Sequence, residues 1–344
     1  MIKLDTTFVV GAGASVDYSF PLGEQLTKQI AEALNMNNSG GAPARELIRT
    51  TIEITCGRSD LQYDRQQLFS QARALNAALS TASSIDAFLE NHSDNKDFEL
   101  LGKIAIAACL ITAERRSELR PRHQGEKIDL ARVEKSWLAR LFKTVMAPGV
   151  PMAALEQIFA HLSFVVFNYD RCIEHYFEQA IASHFTLDLA IAAQFVRQHL
   201  QIVHPYGDLG GLHSTDGNVS FGQEFDPVTH AAGTGIYAMS QRLLTFAESK
   251  KAQGAQAKAM IEKAKRLVFL GFGFGEQNVE LLRAPMSGVE HMRATVMGLS
   301  KSSQREVQHR ISLMTGKEFL LEDLHNCDCT SLINDEQMFL TRTS

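Results

Sequence analysis

Short apolar runs, each ending in glycine or polar residues, recur along the chain and predict buried parallel strands. The first run, Thr6–Val10, stops at a Gly-Ala-Gly-Ala-Ser turn, and Leu22, Leu26, Ile30 and Leu34 then follow at helical spacing. This order of strand, glycine turn and helix is typical of the first unit of a nucleotide-binding α/β fold. Later runs predict the other strands: Ser163–Phe167, Gln201–Val203, Arg266–Leu270, Ala294–Leu299 and Glu318–Leu321.

The stretch between the first two strands has a different pattern. Residues 45–150 favour helix and contain no convincing strand, and turn-forming residues flank them. We therefore predict an α/β protein with a doubly wound, mostly parallel, Rossmann-like sheet built from residues 1–35 and 155–344. The segment 36–154 is expected to form a helical insertion within this single domain. Residues 208–235 are predicted as a long loop and 237–264 as helix.

Composition narrows the class of protein. The 344 residues carry a formal net charge of −5, which argues against nucleic-acid binding through bulk charge. The five cysteines include no C-x-x-C pair, so neither a disulfide framework nor a zinc ribbon is expected. The longest apolar run, Ile104–Ile111, has eight residues and is too short to cross a membrane. The N-terminal pattern is wrong for a signal peptide, so a cytoplasmic location is expected.

Polar or glycine-rich clusters follow four of the predicted strands. They are Gly11–Ser15, Asn168–Asp170, His204–Gly207 and Gly271–Asn278. In open parallel sheets, ligands bind outside the carboxyl ends of the strands. We therefore expect the four clusters to line one crevice.

Each cluster also has a simpler interpretation. The glycine turn can hold an anion through its amides, but Val16 replaces the third glycine of the dinucleotide fingerprint and no G-K-[ST] follows, so an ordinary tight turn is as good an explanation. Asn168 and Asp170 could simply cap a helix. His204 could act as a general base near neutral pH, although a loop histidine is more often structural; His213 is a weaker second candidate.

Other catalytic patterns are weak or missing. The sequence has neither a G-x-S-x-G elbow nor H-E-x-x-H. The segment His325–Cys329 contains metal-capable side chains, but their alternating spacing favours a loop with two ordinary thiols. No metal site is predicted.

The ordered motifs together resemble the sirtuin-like domain family. These motifs are GAGAS with Pro21-Leu22 downstream, FNYD at 167–170, His-x-x-Gly at 204–207 and GFGFGEQN at 271–278. The segment Ser84–Leu89 also resembles a short helix start found in bacterial members. The motifs extend from residue 11 to residue 278, so the resemblance covers most of the chain.

This resemblance implies a doubly wound fold that binds NAD. Asn168 and Asp170 would surround the nicotinamide ribose. Residues implied to hold the pyrophosphate are Gly11, Ala12, Gly13 and Ser15. Residues implied on the adenosine side are Gly271, Phe272 and Gly273, with Glu276 where the family usually has Asp.

Departures from the family pattern refine the expected activity. The chain lacks the zinc ribbon of deacylating sirtuins, and Pro21 is followed by Leu-Gly-Glu instead of Asp-Phe-Arg. Both differences favour the branch that resembles bacterial NAD hydrolases of antiphage defence. Tyr206 stands directly before Gly207, where the family has its histidine, and is expected to contact the cofactor. We favour His204 as the base, because a phenol with a pKa near 10 is a poor base at pH 7.

The resulting hypothesis is hydrolysis of NAD⁺ to nicotinamide and ADP-ribose without a metal, with Asn168 positioning the water or the nicotinamide amide. Unchecked turnover would deplete the cell of NAD, so the activity is expected to be gated. About 65 residues follow the last motif, too few for a separate sensor domain of ordinary size. We therefore expect a homo-oligomer and a separate activating partner, either an ATPase or helicase or a nucleic-acid-binding chain.

Three other functions stay open. The chain could be a catalytically silent NAD or ADP-ribose sensor or an assembly module, and Tyr206 favours this alternative. A sirtuin-type protein deacylase or ADP-ribosyltransferase is the second of these. A phosphoribosyl-type nucleotide hydrolase is the last.

Overall fold

A six-stranded, all-parallel sheet forms the centre of the protein and confirms the predicted α/β class. The computed structural model describes residues 2–37, 41–123, 126–147, 149–213, 219–284, 286 and 288–342. Its strands are β1 (Thr6–Val10), β2 (Leu162–Val166), β3 (Gln201–Val203), β4 (Arg266–Leu270), β5 (His291–Thr295) and β6 (Leu324–His325). The spatial order is β3-β2-β1-β4-β5-β6. Val10, the last residue of β1, pairs with Val166 on one side and with Leu270 on the other.

Helices follow or separate the strands throughout the described ranges. The first group is α1 (Gly23–Leu34), α2 (Pro43–Gly57), α3 (Arg65–Leu79), α4 (Ile85–Asn91), α5 (Lys96–Glu114) and α6 (Trp137–Met146). The second group is α7 (Cys172–His184), α8 (Leu189–His199), α9 (His230–Ser240), α10 (Phe246–Ala252), α11 (Gly254–Lys263), α12 (Glu276–Leu282), α13 (Lys301–Thr315), α14 (Cys329–Asp335) and α15 (Gln337–Thr341).

The central strands are covered on both faces, as a doubly wound sheet requires. Phe8 of β1 stacks on Phe164 of β2 at 5.5 Å between ring centroids, and Phe164 packs against Phe177 of α7. On the opposite face, Thr7 exchanges a 2.8 Å hydrogen bond with Ser163 and also bonds the carbonyl of Met260 in α11. Because neighbouring residues of a strand point to opposite faces, α7 and α11 cover opposite sides of the sheet.

A helical bundle lies beside this sheet, and its members come from more than the predicted insertion. Helices α2, α3 and α5 of the insertion pack with α1, which precedes them, and α2 and α5 also pack with α9, which lies far downstream. Helix α6 lies within 36–154 but packs against α7 and α14 of the sheet layer. The helices of the segment 36–154 therefore pack with elements that precede and follow it, and its boundary at residue 154 stays a prediction.

The last two strands differ from their predicted positions. The predicted strand Glu318–Leu321 is wrong: a 3₁₀ helix covers Leu321–Asp323 and β6 follows it. The side chain of Leu320 is 66% exposed whereas that of Leu324 is buried, so the apolar run does not mark the core. Strand β5 covers His291–Thr295 and overlaps the predicted strand Ala294–Leu299 only at Ala294 and Thr295. Met297, beyond its end, is exposed.

Two further segments also depart from their predictions. Helix α9 begins at His230, inside the predicted loop 208–235, because Thr229 caps its N-terminus. The predicted helix over 237–264 is divided into the end of α9, α10 and α11. Thr245 and Glu248 form a capping box that starts α10 anew.

The apolar run Ile104–Ile111 lies within α5, where all of its side chains are buried in the core. Within the described ranges, no helix has both the length and the apolar character needed to cross a bilayer.

Candidate functional site

The predicted site lies where the strand order reverses. Strands β1 and β4 are neighbours at the centre of the sheet, and the chain proceeds outward from them in opposite directions. Gly11 follows the last residue of β1, and Gly271 follows the last residue of β4. Ligands of open α/β folds bind at such a switch point, so the topology places two of the four predicted clusters at the expected position.

The two glycine turns contact each other backbone to backbone. The amide of Gly13 donates to the carbonyl of Gly271 at 3.0 Å. A Cβ on Gly11 would lie 2.6 Å from the same carbonyl oxygen, and a Cβ on Gly271 would lie 2.2 Å from the nitrogen of Ala14. Gly271 also has φ of +58°, a conformation that L side chains rarely adopt. Close packing of the two turns therefore explains these glycines without any ligand.

Asn168 extends from the end of β2 to the first glycine turn. Its side-chain nitrogen donates to the carbonyl of Gly11 at 3.1 Å and to the hydroxyl of Ser15 at 2.9 Å. The Ser15 hydroxyl donates onward to Asp170 Oδ2 at 2.7 Å. Asp170 Oδ1 accepts from the amide of Cys172 at the start of α7. Asn168, Ser15 and Asp170 are all buried, so the structure brings these three predicted residues into one hydrogen-bonded network, hereafter the strand-end network.

His204 joins this network through the backbone. Its Nδ1 lies 2.9 Å from the carbonyl oxygen of Asn168, and its Nε2 lies 3.0 Å from Glu174 Oε1. Burial by itself lowers the pKa of His204, but the charge of Glu174 and its hydrogen bond, helped by Asp208, more than offset burial and raise the pKa to about 9. The imidazole is therefore charged at neutral pH, and both of its nitrogens are engaged.

Tyr206 lies in an aromatic cluster next to the network. Its ring contacts those of Phe167 and Tyr169, and Phe167 also contacts Phe272 at 5.0 Å between centroids. The Tyr206 hydroxyl donates to Asn278 Oδ1 at 2.8 Å. Burial raises the pKa of Tyr206 above its ordinary value, so the phenol stays protonated at neutral pH.

The other predicted residues form a more exposed rim. Ala12, Gly13 and Gly271 are partly exposed and Gly273 is exposed. The side chain of Glu276, at the start of α12, is 90% exposed and lies 3.9 Å from Arg310. The predicted site residues therefore divide into a buried network, a buried aromatic cluster and an accessible rim.

Four residues missed by the sequence reasoning support the site. Glu174 holds His204, and one of its carboxylate oxygens is buried without a hydrogen-bond partner among the described residues. Asn278 accepts a hydrogen bond from the hydroxyl of Tyr206, and Thr295 of β5 accepts one from the amide of Gly271. Asp86 accepts a hydrogen bond from Tyr169, and burial raises the pKa of Asp86. Two of the four had a sequence signal: Asp86 lies within Ser84–Leu89, and Asn278 ends the predicted cluster Gly271–Asn278.

The weaker candidates lie elsewhere. His213 pairs with Glu178 at 2.8 Å. In the segment His325–Cys329, His325 lies 3.5 Å from Glu336 and both thiols are free. Over the part of the chain that the structure describes, no group of three or more His, Cys, Asp or Glu side chains could hold a metal ion.

Comparisons with known proteins give no assignment: no protein-family model matches the chain, and no curated protein matches it. Membership of the sirtuin-like family therefore stays a prediction.

Proposed function

We propose that the protein binds NAD⁺ at the switch point between β1 and β4 and hydrolyses its nicotinamide–ribose bond. The observation that best supports this function is the convergence of Asn168, Ser15 and Asp170 beside the first glycine turn. These residues come from different strand ends, yet they place an amide, a hydroxyl and a carboxylate within one hydrogen-bonded network. A polar network beside partly exposed backbone suits a dinucleotide with two ribose rings and a pyrophosphate.

The proposed reaction needs little proton transfer. The bond between the ribose anomeric carbon and the pyridinium nitrogen breaks, and its electron pair neutralises the departing nicotinamide. A water oxygen then bonds to the anomeric carbon, so the products are nicotinamide, ADP-ribose and one proton. Positive charge develops on the ribose during this step. The protein must therefore orient the ribose and water and supply negative charge nearby.

The strand-end network offers groups for both tasks. The Asn168 amide would orient the water or the carboxamide of nicotinamide. The Asp170 carboxylate, fixed by Ser15 and by the amide of Cys172, would stabilise the developing cation and accept the proton of the water. The unpartnered oxygen of Glu174 is a candidate acceptor for a ribose hydroxyl.

His204 takes a positioning role in this proposal. Its charged ring forms one hydrogen bond with the Asn168 carbonyl and another with Glu174. This arrangement favours a role for His204 in orienting Asn168 over a role as proton acceptor. The expectation that His204 is itself the base stays a prediction. The two roles predict opposite pH dependences of nicotinamide release. If His204 is the base, release should rise as the ring loses its proton near pH 9; if His204 positions Asn168, release should fall there.

A second candidate is a silent NAD or ADP-ribose sensor. The engagement of both His204 nitrogens favours it, and so does Tyr206, which stands in the family's base position and is held by Asn278. This module would bind the dinucleotide and not turn it over.

The test measures nicotinamide release and NAD⁺ binding by the purified protein. The wild type is assayed alone and with candidate partner proteins and DNA, because the resemblance implies a gated effector of antiphage defence. Asn168→Ala and Asp170→Asn should abolish release. Asn35→Ala, exposed at the end of α1, is the matched control and should leave it unchanged.

The outcomes separate the candidates. Release that Asn168→Ala removes supports hydrolysis. Tight NAD⁺ binding without release, even with partners, selects the sensor. Release that an acyl-peptide or an acceptor protein accelerates would indicate transfer chemistry. Neither binding nor release would overturn both proposals.

The expected homo-oligomer and activating partner belong to the same proposal. Size-exclusion chromatography with light scattering tests assembly, and a strictly monomeric, fully active protein would remove the idea of gating by assembly or by a partner.

A further inference from the structure

A groove of about 590 Å³ lies on the outer surface formed by α10, α11, α12 and α13. Its volume falls within the range of small-molecule sites. It meets the strand-end edge of the sheet only at Glu276 and then runs along the helices, so most of it lies outside the site described above. Charged and apolar side chains from all four helices line it.

Positive charge exceeds negative charge in this groove. Four Lys or Arg side chains face three Glu side chains, and His309 adds a group that protonation would make positive. Lys250 pairs with Glu280 at 2.5 Å, and Arg310 pairs with Glu306 at 2.9 Å. Within the described parts of the chain, Lys258 and Arg283 form no ion pair. Two cations are therefore available to a ligand.

The charges also act together. The hydrogen bond from Lys250 is the main cause that lowers the pKa of Glu280, its charge adds to this, and Lys258 and Arg283 lower the pKa further. Unpaired cations within one concave surface attract anions. Phosphate oxygens accept charge-assisted hydrogen bonds from both Lys and Arg.

The remaining lining is apolar. Val279 of α12 is partly buried, Met314 of α13 is buried, and Leu313 beside it leaves 54% of its side chain exposed. An exposed leucine next to paired and unpaired charges offers a flat apolar contact. A nucleobase attached to a phosphate chain matches this combination of apolar surface and positive charge.

We propose that this groove binds a small phosphorylated ligand of the nucleoside diphosphate class. Lys258 and Arg283 contact the phosphates, and the surface of Val279 and Leu313 contacts the base. This proposal stands whether or not the strand-end network hydrolyses NAD⁺.

Arg310 connects the groove with the second glycine turn. Its Nη1 donates to the carbonyl of Phe274 at 2.8 Å, while its other nitrogens face Glu306 and Glu276. Phe274 is buried and has φ of +51°, a strained conformation for a residue with a side chain. An anion beside Arg310 would compete with both glutamates. The ligand would therefore alter the turn that packs against Gly11 and Gly13.

The experiment measures ADP binding by titration calorimetry at low salt, with adenosine as the comparison ligand. The double variant Lys258→Gln with Arg283→Gln removes the two unpaired cations. Its matched control, Lys251→Gln with Lys263→Gln, removes two exposed charges from α10 and α11 outside the groove. We expect the groove variant to weaken ADP binding at least tenfold, the control to leave it unchanged, and adenosine to bind at least tenfold more weakly than ADP.

A comparison with Asn168→Ala distinguishes this site from the proposed NAD⁺ site. ADP binding that Asn168→Ala weakens and the groove variant leaves unchanged would overturn the groove proposal and leave the proposed function intact. Undetectable ADP binding would also overturn it. A groove variant that weakens ADP binding while the KM for NAD⁺ stays constant identifies a separate ligand. A rise in that KM by the same factor as the loss of ADP affinity would show that the groove binds the ADP part of NAD⁺ itself.

Hydrogen exchange tests the connection through Arg310. ADP should change exchange in residues 271–276 of the wild type, and the change should be lost in Arg310→Gln. Unchanged exchange despite ADP binding would overturn the connection while the groove site stands.

Discussion

The side-chain nitrogen of Asn168 lies 2.9 Å from the hydroxyl oxygen of Ser15, although 153 positions separate the two residues in the sequence. Ser15 accepts this hydrogen bond, and its own hydroxyl donates a hydrogen bond to Asp170. One hydroxyl therefore fixes the relative positions of an amide and a carboxylate that belong to another strand end.

Removing this hydroxyl should affect both stability and activity. Ser15→Ala leaves a buried oxygen of Asp170 without its donor, which costs about 1–3 kcal/mol. We expect a lower melting temperature and a loss of nicotinamide release of at least about tenfold. Ser80→Ala, which removes an exposed hydroxyl at the end of α3, should change neither. A Ser15→Ala protein with wild-type stability and turnover would contradict the role assigned to this hydroxyl.

The pair of His204 and Glu174 predicts a dependence of stability on pH. The pKa of His204 in the folded protein, about 9, lies above the ordinary value of 6.5, so protonation favours the folded state. The stabilisation is complete below pH 6.5 and is lost as the pH rises through 9; its size is of the order of 3 kcal/mol. Thermal unfolding between pH 6 and pH 10 measures it.

His204→Gln provides the comparison for this measurement. The variant should be less stable than the wild type at pH 6.5, and the difference should shrink towards pH 10. A constant difference across the range would show that His204 does not titrate in this window.

The contact between the glycine turns predicts unequal effects of two similar substitutions. Gly271→Ala places a Cβ against the backbone of Ala14 at a positive φ, so we expect a loss of at least about 2 kcal/mol. A Cβ on Gly273 meets nothing within 4 Å, so Gly273→Ala should keep its stability within about 1 kcal/mol. Denaturant unfolding measures both, and equal losses would contradict the packing explanation.

The buried ion pair of Arg171 and Glu114 predicts a large and non-additive loss. Both side chains are 1% exposed, and Arg171 also bonds the carbonyls of Gly210, Gly211 and Val219. Glu114→Ala leaves the guanidinium without its counter-ion and should cost about 3–5 kcal/mol. Adding Arg171→Ala should cost less than the sum of the two single substitutions.

The exposed pair of Arg65 and Glu53 serves as the control for this cycle. Its side chains are largely open to solvent, so Glu53→Ala should change stability by no more than about 1 kcal/mol. Denaturant unfolding of both sets measures the difference. Additive losses at Arg171 and Glu114 would show that the two charges do not depend on each other.

The parallel sheet could be predicted because its central strands are buried on both faces. The sequences of β1 and β4 are continuous apolar runs, and their predicted positions match the structure. The predicted position of the short edge strand β3 also matches. Strands β5 and β6 differ from their predicted positions, because exposed Met297 and Leu320 resemble core residues in sequence. Apolar composition does not distinguish a buried residue from an exposed one at the edge of a sheet.

The meeting of the strand ends could also be predicted, since parallel strands share a carboxyl edge. The partners of those residues could not. Glu174 and Asn278 reach His204 and Tyr206 from helices, and such contacts depend on the angle at which a helix leaves the sheet. The charged state of His204 follows from one of these contacts, which is why a free base was the natural expectation from sequence.

The backbone contact between the Gly11–Ser15 and Gly271 turns has a mechanical consequence. With a hydrogen bond joining Gly13 to Gly271 and no side chain between them, the two halves of the sheet form one continuous plate. A dinucleotide could not insert between the two turns; it would lie across their solvent-facing side. Under the proposed function, the partly exposed backbone of Ala12, Gly13 and Gly271 is therefore the surface on which the pyrophosphate would bind.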